Sequence, residues 1–142
     1  MKALSFSQPW LWAVLYGGKS VENRTWAPPI EMIDQRIALH AAKSWDKAGV
    51  PFMTKMGLAD KMPGRFDMYT KSAIVGVATI DRIITDPKSL PENQRGWFFG
   101  PVGWILTNII PLTQPLAATG ALQLWQVPPA LESEILEQLG GR

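Results

Sequence analysis

No cysteine occurs anywhere in the chain. That excludes a disulfide scaffold, cysteine-based zinc sites and a thiol nucleophile, and it fits a reducing, cytoplasmic setting. Histidine is nearly missing as well. His40 is the single one, so neither a histidine metal site nor a two-histidine ribonuclease mechanism can be built from histidine alone. Charge imbalance is small too: the net charge is +2, too little to argue nucleic-acid binding from charge by itself. No apolar run approaches the length needed to cross a bilayer. The apolar start, Met1 to Tyr16, is broken by Ser7, Gln8 and Pro9 and lacks a small-residue cleavage site, so no signal peptide is expected. Internal repeats and low-complexity tracts are absent.

What is present is a core. The 142 residues are 46% hydrophobic, and a chain of that length forms one domain that buries roughly two thirds of its unfolded surface. Twelve glycines and twelve prolines punctuate short apolar runs, the pattern of an α+β, mainly β domain with many turns. The alternation predicts strands at Ala3–Ser7, Ser20–Trp26, Arg36–Ala42, Ser72–Ile84, Gly103–Ile110 and Ala121–Val127. Pro9 marks a helix start, and the helix Trp10–Tyr16 stops at Gly17-Gly18. It is apolar nearly all round and therefore buried on more than one side. Ser44–Met62 reads as one helix, with a possible break near Val50-Pro51. Pro87–Gly100 reads as a loop, and Leu131–Leu139 as a terminal amphipathic helix. The expected architecture is a small, partly open β-barrel of five to six strands with a buried N-terminal helix and flanking helices. Residues 1–128 would form its body, and residues 129–142 a helix packed on it.

The basic excess is confined to the first part of the chain. Residues 1–82 hold 11 Lys and Arg against 7 Asp and Glu, whereas residues 83–142 hold 3 against 5. A polyanion would be steered to the former. Within it, the strand through Lys19-Ser20-Val21-Glu22-Asn23-Arg24-Thr25-Trp26 alternates its side chains, so Glu22, Arg24 and Trp26 share one face and Val21, Asn23 and Thr25 the other. Same-face neighbours lie roughly 7 Å apart. An acid, a guanidinium and an indole in a row can hydrogen-bond a base edge, clamp a phosphate and stack a ring, and Lys19 adds an ammonium at the start. The same pattern also fits an exposed strand whose Glu–Arg pair contributes little to stability.

Arg36–Ala41 alternates as well, with Ile37, Leu39 and Ala41 on an apolar face and Arg36, Ala38 and His40 on the opposite, non-core one. His40 is either a satisfied structural residue or part of a cleft lining. Gly76 marks a bulge or a close backbone approach. Of the tryptophans, Trp12, Trp45 and Trp104 fit the core, while Trp10, Trp26 and Trp125 adjoin polar motifs and suit stacking. The methionines Met53, Met56 and Met62 read as gap-filling core or a loose lid.

Ser7-Gln8-Pro9-Trp10 followed by Gly18-Lys19 and then Glu22-x-Arg24-x-Trp26 resembles the signature of the ASCH domain, the activating signal cointegrator-1 homology family. Later segments agree in order: Ile37-Ala38-Leu39-His40-Ala41 with Lys43, Gly100-Pro101-x-x-Trp104-x-Leu106, Pro111-Leu112, and Gly120-x-x-Gln123-x-Trp125. The resemblance implies a PUA-like barrel with a cleft beside the early helix and a role in RNA binding or RNA-linked regulation; RNA, single-stranded rather than duplex, or a nucleotide-like ligand is the expected partner. By motif it brings Gln8, Trp10, Lys19, Glu22, Arg24 and Trp26 to that cleft; His40, Lys43 and Trp125 complete the expected binding set. No cofactor or metal is implied, and a monomer is the expected state. Some relatives of the superfamily hydrolyse an acylated pyrimidine nucleoside with a lysine, a threonine nucleophile and a glutamate. Lys19 matches that lysine, but Glu22 stands where the threonine would be, and the glutamate's position falls near Gly76. Lys19 and Glu22 are therefore the catalytic pair only if the protein is a metal-independent hydrolase.

Overall fold

The computed structural model describes all residues from Met1 to Arg142. Six strands form one mixed, unclosed sheet: β1 (Lys2–Gln8), β2 (Val21–Arg24), β3 (Arg36–Trp45), β4 (Ala73–Ile84), β5 (Val102–Ala117) and β6 (Leu124–Gln126), in the order β2-β5-β4-β3-β1-β6. Only the β1–β3 pair is parallel. The sheet curls so far that Arg24, on edge strand β2, reaches the Ser5 carbonyl of β1. Four helices accompany it: α1 (Trp10–Tyr16), α2 (Gly49–Lys55), α3 (Glu92–Arg95) and α4 (Pro129–Leu139). No helix is long and apolar enough to cross a membrane.

Both faces of the sheet are covered. Leu4, Phe6, Ile37, Leu39 and Ile80 pack with Leu11 and Val14 of α1 and with Trp104. On the other face Ala3, Ala38, Ile74 and Val77 meet Ile135 and Leu139 of α4. This corrects the expectation for β3, whose Ala38–His40 side is buried beneath other segments instead of facing solvent. One face of β1 illustrates how the polar site arises. Ala3, Ser5 and Ser7 alternate onto the same side; Ala3 lies in the cluster with α4, whereas Ser5 and Ser7 line a polar hollow.

Several boundaries differ from the sequence reading. The expected helix over Ser44–Met62 is not formed as one piece. Strand β3 continues to Trp45, and only Gly49–Lys55 is α-helical. Pro51 is accommodated in the first turn of α2, where backbone N–H groups have no intrahelical acceptor. The segment Pro87–Gly100 contains the short helix α3. Strand β5 runs on to Ala117, beyond Ile110, while β6 keeps only Leu124–Gln126. The β3–β4 register shifts between Leu39 and His40, which leaves Val75 as an extra residue on β4 beside Gly76.

Candidate functional site

A cleft of about 340 Å³ opens where the ends of β1 and β2 meet the start of α1. Its floor is made by three consecutive charged groups. Gly18, at φ +81°, turns the chain after α1, and Lys19 folds inward to 2% exposure. The Lys19 ammonium donates to the Val21 carbonyl and, at 3.3 Å, to Glu22 Oε1. Glu22, only 8% exposed, accepts through its other oxygen from Arg24 Nε at 2.8 Å. Arg24 donates from Nη2 to the Ser5 carbonyl at 2.7 Å, and its guanidinium carbon lies 5.4 Å from the Phe6 ring centre. Burial pulls the Lys19 pKa below its ordinary value; the neighbouring Glu22 carboxylate opposes that shift and Arg24 adds a little to it.

One wall is aromatic. Trp10 stands 5.7 Å edge-on to Phe99 and 5.8 Å from Phe52, with the Lys19 ammonium 5.8 Å from its ring centre. Trp10 Nε1 donates to Asp46 Oδ2 at 2.8 Å, fixing the indole's tilt. That bond, together with the Ala48 N–H, draws the Asp46 pKa below its ordinary value. Asn23 secures the opposite lip: its Oδ1 accepts from the Phe99 and Gly100 N–H groups at 2.7 and 3.1 Å, and its Nδ2 donates to the Trp97 carbonyl at 3.0 Å. The half-exposed Phe99 ring is thus held at the cleft mouth.

The structure brings Lys19, Glu22, Arg24 and Trp10 together. Trp26 lies elsewhere, because β2 ends at Arg24 and the alternation covers two members of the row instead of three. Its ring packs at right angles on Trp104, 4.9 Å between centres, and its carbonyl accepts from Trp104 Nε1. The indole that lines the cleft is Trp10. Gln8 also points away: it donates to the Thr70 carbonyl at 2.9 Å and accepts from the Trp12 N–H, tying α1 to the chain before β4. His40 and Lys43 line a separate hollow adjoining Ser5, and Trp125 packs edge-on against His40 with its N–H on Ser5 Oγ.

Sequence reasoning missed Ser5, Ser7, Asn23, Asp46 and Phe99, all of which line the cleft. The alternation Ala3-x-Ser5-x-Ser7 carried a signal for the two serines. Asn23, Asp46 and Phe99 carried none, since each owes its place to a contact with a distant segment. No group of three or more histidine, aspartate or glutamate side chains stands close enough together to hold a metal ion.

A family model for the ASCH domain matches residues 4–116. No curated protein matches the chain. Among solved structures, the crystal structure of ASCH from Zymomonas mobilis is similar at a TM-score of 0.56 with 15% identity, covering 96% of this chain and 93% of that one. A serine-to-alanine mutant of the same bacterial protein is similar at 0.55 and 15% identity, covering 96% and 94%. At that identity the likeness speaks for the fold, a PUA-like one.

Proposed function

Since the chain belongs to the ASCH domain family, we propose that its cleft binds RNA, single-stranded, or a nucleotide-like ligand. The observation that carries this reading is the buried Lys19–Glu22 pair continued by the partly exposed Arg24, set against the Trp10–Phe99 wall. Glu22 holds the Arg24 Nε and the Ser5 carbonyl holds Nη2, so the guanidinium plane is oriented while its remaining N–H groups are left for a ligand. Rings at the wall supply the apolar contact that a base's π-face uses. At about 340 Å³ the cleft suits one nucleotide-sized group and not a duplex.

The test is a fluorescence titration with short single-stranded RNAs. Binding is expected to quench Trp10, to weaken as salt rises, and to lose about 1–3 kcal/mol in Arg24→Ala, with circular dichroism verifying that the variant stays folded. Unchanged fluorescence and gel mobility at low salt, across several RNA sequences, would remove the reading.

One observation favours a second reading, a metal-independent hydrolase acting on RNA or a modified nucleoside. Burial lowers the Lys19 pKa beside Glu22, so at a given pH a larger share of its amine is unprotonated and able to accept a proton than in an exposed lysine. End-labelled RNA and an acylated nucleoside, incubated with EDTA present, are expected to be cleaved by the native protein and spared by Lys19→Ala. Equal cleavage by both proteins would dispose of this alternative.

A further inference from the structure

The second hollow, of about 470 Å³, shares Ser5 with the cleft. Its floor is a closed hydrogen-bond chain. Trp125 Nε1 donates to Ser5 Oγ at 3.1 Å, Ser5 Oγ lies 2.9 Å from His40 Nδ1, and His40 Nε2 lies 2.7 Å from the Ala118 carbonyl. A carbonyl only accepts, so Nε2 carries a proton, and in the neutral ring Nδ1 accepts from the serine hydroxyl. Parallel pairing of Ser5 with His40 across β1 and β3 sets this geometry. His40 is 2% exposed with both ring nitrogens engaged, which makes it a positioning residue for Ser5. Gly120 closes the floor with bare backbone, since a Cβ there would come within 2.6 Å of both His40 Cε1 and Ser5 Oγ.

The walls differ in charge from those of the cleft. In the cleft two cations, Lys19 and Arg24, are matched by two carboxylates, Glu22 and Asp46. In the second hollow the only charged lining group is Lys43, which is exposed and makes no ion pair, and no carboxylate faces it. Leu122, 92% exposed, forms an apolar lip beside it. Serine hydroxyls mark the boundary: Ser5 lines both hollows, and Ser7 of the cleft bonds Ser44, the residue after Lys43, at 2.7 Å.

We propose that this hollow is a second subsite for the same strand. One nucleotide occupies the cleft, the adjoining phosphodiester crosses the serine boundary onto the Lys43 ammonium, and the next nucleoside rests against Leu122. The inference rests on the ligand reading of the cleft. It adds a two-nucleotide footprint and assigns Lys43 to the phosphate.

The experiment compares a 5′-mononucleotide with a single-stranded RNA oligonucleotide, over a salt series, for the native protein, Lys43→Gln and Arg24→Ala. The oligonucleotide is expected to bind the native protein more tightly and with the steeper salt dependence. In Lys43→Gln the ratio of oligonucleotide to mononucleotide affinity falls several-fold, and the salt slope for the oligonucleotide lessens by about 0.7. Arg24→Ala weakens both ligands. If Lys43→Gln keeps the native ratio and slope while Arg24→Ala weakens both, the second subsite is wrong and the cleft reading stands. If the native protein binds neither ligand, the cleft reading fails and takes the subsite with it.

Discussion

Lys19 is the residue whose surroundings conflict most with its charge. Its ammonium is wholly buried, and desolvation lowers its pKa from 10.5 despite the adjacent Glu22. The sign of the resulting pH dependence follows from proton counting. The unfolded chain keeps the lysine proton up to 10.5, whereas the folded chain releases it at lower pH, so stability rises with pH between the lowered value and 10.5. The slope of one such group is bounded at about 1.4 kcal/mol per pH unit. Lys19→Met removes it, so the stability difference between the native protein and the variant is expected to shift in the native protein's favour as pH rises from about 8 to about 10. Tyr69 acts oppositely, since burial raises its pKa above 10.0 and stability falls as pH climbs beyond that value. It is common to both proteins and cancels in the difference. Urea denaturation at stepped pH measures this, and parallel curves for the two proteins would show that Lys19 is not desolvated as described.

The same distinction between local and distant causes decides, element by element, what the sequence could reveal. Strand β1 and helix α1 were legible because their signals are local: alternation, a proline start and a Gly-Gly stop lie within sixteen residues. Strand β4 was legible for the same reason, including its irregularity at Gly76. There a Cβ would come within 2.7 Å of Leu15 Cδ2 of α1 and 3.0 Å of the Ile110 carbonyl of β5. Gly76→Ala must therefore displace the end of the Leu15 side chain and crowd the backbone of the neighbouring strand, and a loss of about 1–3 kcal/mol is expected. Gly64→Ala, with nothing within 4 Å, is the near-neutral control. Thermal melts of the two variants check this, and equal melting temperatures would contradict the packing. The helix expected over Ser44–Met62 failed for a physical reason. Its methionines and lysines suit a helix, but Trp45 is held in β3 by pairing with Gln8, a partner more than thirty residues away. The cleft divided in the same manner. Lys19, Glu22 and Arg24 are close in sequence and line the cleft together, whereas Trp26 lies outside it because the strand ends two residues before it.

For the whole molecule, the two covered faces of the sheet have different duties. The face against α1 carries most of the large buried side chains and ends at the cleft, while the other is closed by the C-terminal helix. Helix α4 is fastened by Ile135 and Leu139 in the cluster with Ala3, Ala38, Ile74 and Val77. Gln138 adds hydrogen bonds to Thr113 and Gln114, and Glu132 pairs with the N-terminal ammonium. These contacts favour α4 as part of the domain's own core over α4 as a docking arm. Ile135 is fully buried, so Ile135→Ala is expected to cost about 2–5 kcal/mol, a large share of the roughly 5–15 kcal/mol that holds a domain folded. Leu136, one residue on and half exposed, should tolerate alanine with little change. Because α4 touches Ala3 but lines neither hollow, Ile135→Ala at a temperature where it remains folded should give the same RNA titration curve as the native protein. Denaturant titration and gel filtration of both variants separate the alternatives. Lost stability confined to Ile135→Ala supports internal packing, whereas unchanged stability with an altered oligomeric size would make α4 an arm that grips another chain.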